Sequence, residues 1–174
     1  MAKFRGVVEG VVVGSTMLAM LVSPFVRTAS ATEGRIRVLS ETPLSPAAEI
    51  PADVRKECNG LGDSLPKAIV RANRNVTLVQ TPAALQEKTG RYLHIEIIKV
   101  GARAAGALSG PKHMTVRGAL VENGKEIADF EARRGSIAAS GTCTMLQKTE
   151  NELGNQIGTW LEHPRPHTFL GDAD

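Results

Sequence analysis

The chain has 174 residues, 21 of them basic and 18 acidic, for a formal net charge of +3. That length suits one ordinary domain with a single hydrophobic core. The basic residues form no stripe and aromatics make up only 3% of the chain, which argues against nucleic acid as a partner, since that needs a basic track and stacking rings.

Residues 1–31 read as an export signal. Lys3 and Arg5 supply a basic start, weakened by Glu9. An apolar run of twelve residues, Val11–Val22, follows and ends before Pro24, and Ala29-Ser30-Ala31 places small residues where a signal peptidase cuts. The run is too short for a membrane anchor, which needs roughly twenty residues. A cleaved signal is therefore expected, with no stable membrane span afterwards. No cysteine lies near the cleavage site, so no lipid anchor is expected. Cleavage before Thr32 would release 143 of the 174 residues to the periplasm or the medium; Lys3, Arg5, Arg27 and Glu9 would be lost, leaving a net charge of +1.

Cys58 and Cys143 remain after such processing. An even cysteine count in an exported chain favours a disulfide. It would close a loop of about 85 residues, a constraint on the order of 4–5 kcal/mol in chain-entropy models. The alternative is a pair of buried thiols serving as small apolar groups.

The remaining elements follow in chain order. Residues 32–50 predict an irregular link, with one short edge strand at Arg35–Leu39 before Pro43, Pro46 and Pro51. Residues 51–163 predict a single α/β domain. The spacing of Val54, Cys58, Leu61, Leu65, Ile69 and Val70 is helical. Gly60 and Gly62 interrupt it, so one turn near Cys58 and a helix near Leu65–Ala72 are expected, with Pro66 confined to a first turn. Val76–Gln80 reads as a strand. Thr81-Pro82 reads as the N-cap and first residue of a short helix ended by Gly90. Arg91–Gly101 is the clearest strand, with Leu93, Ile95, Ile97 and Lys99 on one face.

His113–Arg134 predicts a hairpin about Asn123-Gly124. A bulged turn pairing Val116 with Phe130, Gly118 with Ala128 and Met114 with Ala132 gathers the apolar side chains on one face, whereas a plain turn places Val116 opposite Glu131. Residues 142–162 predict a final helix whose stripe is Cys143, Leu146, Leu153, Ile157, Trp160 and Leu161. Gly154 and Gly158 would let it approach the sheet closely, Cys143 would face the core, and Lys148 would pair with Glu152. Residues 164–174 predict a disordered tail. The fold class expected is α/β (α+β): a two-layer sandwich with a mainly antiparallel sheet and helices on one face.

Few residues point to chemistry. Cys143 follows Gly141-Thr142 at a helix start, where the dipole would lower a thiol pKa, and His94 or His113 would be its base; this is the minority reading beside the disulfide. Gly106–Lys112 has glycines and a lysine but not the spacing of a phosphate loop, and Pro111 removes an amide. His163 and His167 are four apart, but Pro164 and Pro166 preclude the helix that would bring them onto one metal. Asn75-Val76-Thr77 matches a glycosylation acceptor, without meaning if the signal is bacterial. Asp129 and Glu131, with Arg117 and Arg133 near, suit cross-strand ion pairs better than acid–base work. No catalytic, metal or cofactor residue is assigned. Two small-residue runs, 101–110 and 135–141, flank the hairpin. They would emerge side by side, as mobile loops or as a partner surface built on Gly101, Gly106, Gly110, Gly135, Ala139 and Gly141.

Ser109–Lys125, then Phe130 and Arg133, then Gly141-Thr142-Cys143 and the helix ending Ile157-Gly158-Thr159-Trp160-Leu161 resemble a group of small proteobacterial exported proteins of unknown function. More loosely, the chain is similar to envelope lipoproteins with a small α/β domain of unknown function, though it lacks their lipid-bearing cysteine. The resemblance spans roughly residues 51–163 and implies export and an α/β domain, but transfers no catalytic residue. The expectation is a non-enzymatic envelope or secreted binding protein with one disulfide. The alternatives are a thiol-dependent or hydrolytic enzyme using Cys143, and a subunit of an envelope complex docked through the two loops onto an envelope protein partner.

Overall fold

The computed structural model describes residues 34–85, 89–101, 112–136 and 141–172. The elements run β1 (Ile36–Leu39), β2 (Leu44–Glu49), α1 (Ala52–Glu57), α2 (Ser64–Ala72), β3 (Val76–Val79), β4 (Arg91–Gly101), β5 (Lys112–Glu122), β6 (Lys125–Ser136), α3 (Thr142–Trp160) and β7 (Thr168–Gly171). One mixed α+β unit results: a seven-stranded sheet in the order β3-β1-β4-β5-β6-β7, with β2 also paired to β4. The three long strands β4, β5 and β6 are antiparallel neighbours, and the four short strands all join in parallel.

The expected irregular link is overturned. β1 is not an edge strand; it lies between β3 and β4, with Ile36 and Val38 each 2% exposed. Leu44–Glu49 is a strand despite Pro46, its pairing with β4 broken between Leu44 and Glu49. An imino acid is tolerated where the ladder is interrupted. The tail expectation fails likewise at its centre, since Thr168–Gly171 pairs with Phe130–Arg133 of β6. The domain therefore reaches from Ile36 to Gly171 rather than over 51–163 alone.

The hairpin turn is a two-residue one. Asn123 and Gly124 both have positive φ, 51° and 79°, as a type I′ turn requires. Glu122 stands opposite Lys125 and Val121 opposite Glu126, but Leu120 stands opposite Ala128, so Ile127 is an extra residue bulged out of β6. Beyond the bulge Val116 faces Ala132, Gly118 faces Phe130 and Met114 faces Arg134. The expected register is thus displaced by two residues. Because the displacement is even, the apolar face of Met114, Val116, Ala128, Phe130 and Ala132 is the one anticipated. Gly118 is required where it stands: a Cβ there would lie 2.6 Å from the Phe130 ring.

A second bulge corrects β4. Ile97 pairs with Val116 and Lys99 with Thr115, so Ile98 is the extra residue and the phase reverses after it. Val100 is buried and Lys99 is turned outward to Glu49, at 2.6 Å, rather than sharing the face of Leu93, Ile95 and Ile97.

The helices pack on each other as well as on the sheet. Gly154 and Gly158 do not face strands as expected; they meet Ala68 and Ala72 of α2, where an added Cβ would come within 2.5 Å of each alanine Cβ. Two small pairs at the same four-residue spacing bring α2 and α3 into backbone contact. Pro66 occupies the first turn of α2, and Pro82–Ala84 forms only a 3-10 turn, to which Thr81 gives no side-chain cap. Residues 86–88 of the helix expected there lie outside the described residues.

Candidate functional site

Cys58 ends α1 and Cys143 lies in the first turn of α3; the two are joined in a disulfide with Cα atoms 5.2 Å apart. Both of the chain's cysteines are used in it. Cys58 is 7% exposed, whereas Cys143 is exposed rather than core-facing. Met145 and Leu146, one turn on, fill the core that Cys143 was expected to face. The bond therefore lies at the rim of the helical layer and staples α1 to α3.

Two turns further along α3 stands a buried carboxylate that the sequence did not announce. Glu150 of α3 is 1% exposed. Its Oε1 accepts from the Gly62 amide at 2.8 Å and its Oε2 from the Ser64 amide at 3.0 Å. Asp63, at the N-cap of α2, makes no side-chain cap bond, so Glu150 takes the capping role from another helix. Burial pushes its pKa above the ordinary carboxylate value, and Asp63 adds to the rise; the amides of Gly62, Ser64 and Leu65 oppose it. Gly62, with φ 100°, is fixed by close approach, since a Cβ would lie 2.4 Å from the Thr42 carbonyl oxygen.

A polar cleft of about 550 Å³ opens between the end of α2 and the start of β1 and β4. Asn73, Arg74, Asn75, Arg91 and Glu162 border it. Asn73 is held in place: its Nδ2 donates to the Gly158 carbonyl at 3.1 Å and its Oδ1 accepts from the Asn75 amide at 2.9 Å. Arg91 Nε stands 3.6 Å from Glu122, beyond hydrogen-bond length, and is buried without a hydrogen-bond partner. Asn75 of the glycosylation triplet lines this cleft beside β3.

The outer face of the central strands is ionic. His94 and Glu96 of β4, Arg117 of β5 and Asp129 of β6 border a shallow depression. Arg117 pairs with Glu96, not with Glu131, which stands directly opposite it on β6. Burial alone would raise the Glu96 pKa, but hydrogen bonds from Arg117 and Ser45 outweigh it and hold the carboxyl below its usual value. Asp129 accepts from the His167 amide at 2.8 Å and lies 3.1 Å from its Nδ1. That contact clasps the start of β7. Among the described residues, no group of three or more His, Cys, Asp or Glu is placed to hold a metal.

At the far end of the hairpin, Gly101, His113 and Gly135 stand in line across β4, β5 and β6. The His113 ring covers Gly101, where a Cβ would come within 1.7 Å of it. Burial lowers the His113 pKa, with Arg133 and Lys99 adding to the effect. The strands thus place the starts of the two small-residue runs on either side of β5, with His113 between them. Gly141, φ 92°, begins α3. Gly106, Gly110 and Ala139 lie outside the described residues, as does most of the 106–112 loop; Lys112 opens β5 with its side chain buried. Lys148 is exposed, and Glu152, expected to pair with it, instead binds Arg134 of β6 at 3.0 Å. No helix among the described residues is long and apolar enough to cross a membrane.

No family model matches the chain, and no curated protein matches it.

Proposed function

We propose that the chain is an exported, non-enzymatic binding protein, released before Thr32 into the periplasm or the medium and held together by its disulfide. The Cys58–Cys143 bond carries this reading. It joins segments 85 residues apart, and such bonds persist in oxidising compartments rather than in the cytosol. It also occupies the sulfur that a thiol-dependent enzyme would need as a thiolate. The polar cleft supplies the binding surface: the guanidinium groups of Arg74 and Arg91 border it and suit an anion. The test is the intact mass of the protein recovered from its host, with thiol alkylation before and after reduction. A mass beginning at Thr32, with no label until reduction and two labels after it, is expected. An unprocessed mass, or Cys143 labelled without reduction, overturns the reading.

A second reading rests on the alignment of Gly101 and Gly135 about His113. In this reading the protein is a subunit of an envelope complex, docked through the runs at 101–110 and 135–141. Replacing Gly106 or Ala139 by Glu should then abolish partner capture and leave the thermal midpoint unchanged; capture that survives both changes removes the loops as the interface.

A further inference from the structure

Among the described residues β7 ends the sheet with one bare edge, and the four residues Thr168–Gly171 carry neither charge nor proline. Natural edge strands are commonly blunted by such groups, because unpaired backbone recruits another strand. Phe169 lies on this strand with 64% of its surface exposed. It stands opposite Glu131 on the open face, while Leu170 stands opposite Ala132 on the buried face. The Asp172 amide donates to the Arg133 carbonyl at 2.8 Å. By alternation, the backbones of Thr168 and Leu170 also point to β6, and that of Phe169 points outward. Beside the edge, Gln156, Thr159, Trp160, Leu170 and Gly171 border an apolar groove.

The flanks of this strand are oppositely charged. Arg165 precedes it, between His163 and His167, with Glu162 one step earlier and His167 held by Asp129; Asp172, which also meets Arg134 at 3.4 Å, and Asp174 follow. A basic–apolar–acidic segment is complementary to itself when two copies run antiparallel. We propose that β7 is the dimerisation strand of this protein, pairing with β7 of a second copy to continue the sheet. The two-fold axis stands perpendicular to the sheet, so both open faces lie on one side. That symmetry places Phe169 opposite Phe169 of the second copy, as a doubly hydrogen-bonded pair with the rings in contact. Thr168 then faces the copy's Leu170, which fills the groove beside Trp160, and Arg165 lies next to the copy's Asp172.

Sedimentation velocity of the purified protein from micromolar to millimolar concentration tests this. A reversible dimer is expected. Phe169→Lys sets like charges face to face and should raise the concentration of half-association by about tenfold or more. Arg165→Glu should raise it less. Opposed Cα atoms in such a pair are about 5.5 Å apart, within disulfide range, so Phe169→Cys should give a reducible, crosslinked dimer on mild oxidation. Far-UV circular dichroism of each variant should match the parent, because the substituted side chains are exposed. A monomer at every concentration, with the edge left to a strand of some other protein, overturns the proposal. So does a dimer that Phe169→Lys leaves intact, or one that Phe169→Cys does not crosslink.

Discussion

Glu150 caps a helix it does not belong to: its carboxylate accepts the Gly62 amide across 88 positions of sequence, and the Ser64 amide beside it. Two consequences can be measured. Glu150→Ala would leave buried amides without an acceptor, a loss of about 1–3 kcal/mol, so the urea midpoint should fall. Because the folded-state pKa lies above the unfolded one, the native state binds the extra proton. The group's contribution is full below the unfolded value near 4.5 and declines as pH rises through the folded value. The parent should therefore lose stability relative to Glu150→Gln on passing from acid to neutral pH. A stability difference that is flat over that range would show that Glu150 titrates normally.

The helix pair makes a second claim. Gly154 can gain no methyl group without moving Ala68 Cβ, 2.5 Å away, or the Leu65 carbonyl, 2.6 Å away. Alanine is the better helix former by up to about 1 kcal/mol, so on propensity alone Gly154→Ala would stabilise. Overpacking costs about 1–3 kcal/mol and should prevail, lowering the denaturation midpoint. Ala68→Gly in the same chain removes one of the clashing atoms and should recover part of the loss. A double-mutant cycle measures this coupling; additive effects would mean that the two helices do not meet here.

What was legible in the chain follows from how locally each feature is encoded. Asn123-Gly124 announces its turn because positive φ is demanded at both positions. The bulge at Ile127 has no such signal, for an exposed isoleucine in a strand looks like any other. The apolar face still came out right because the register error was even. At Ile98 the phase change is hidden by apolar residues on both sides. β2 and β7 are too short to show a period, and each is specified by the strand it joins; β1 shows its alternation in Arg35–Leu39, but not its place between β3 and β4. β7 is moreover preceded by Pro164 and Pro166, which read as the end of order. The disulfide was readable from cysteine count and compartment alone; the exposure of Cys143 was not, since Met145 competes for the same helical stripe. Glu150 looked like a solvated charge because its partners lie on another helix.

The clasp between Asp129 and His167 should govern the fraying of β7. The His167 amide is the main reason the Asp129 carboxyl sits below its ordinary value, with the side chain adding to it. A depressed folded-state pKa contributes stability above the unfolded value, near 3.8, and loses it as pH falls through the folded value. Protection of the Leu170 amide against hydrogen exchange, relative to the core strands, should weaken in that acid range. Asp129→Ala should speed its exchange roughly fivefold at neutral pH, the equivalent of about one hydrogen bond. An unchanged rate would mean that β7 is held by its ladder to β6 alone.

The disulfide sets the last expectation. It links α1, whose buried contact is Val54, to α3, which packs against α2, β5 and β6. Removing it should release the unfolded chain from a closure spanning 85 residues, a loss on the order of 4 kcal/mol before strain is counted. α1 has six residues and no side-chain cap, and so short a helix holds little structure unaided. The first region to loosen should therefore be residues 52–58, with the sheet following only at higher denaturant. Because Cys143 is exposed, a small thiol reductant should reach the bond without prior unfolding. Urea titrations of the parent, the reduced parent and the Cys58→Ser/Cys143→Ser variant test this: the last two should coincide, with midpoints well below the first. If reduction needs denaturant, the bond is shielded; if the midpoints of all three agree, α1 is held by packing alone.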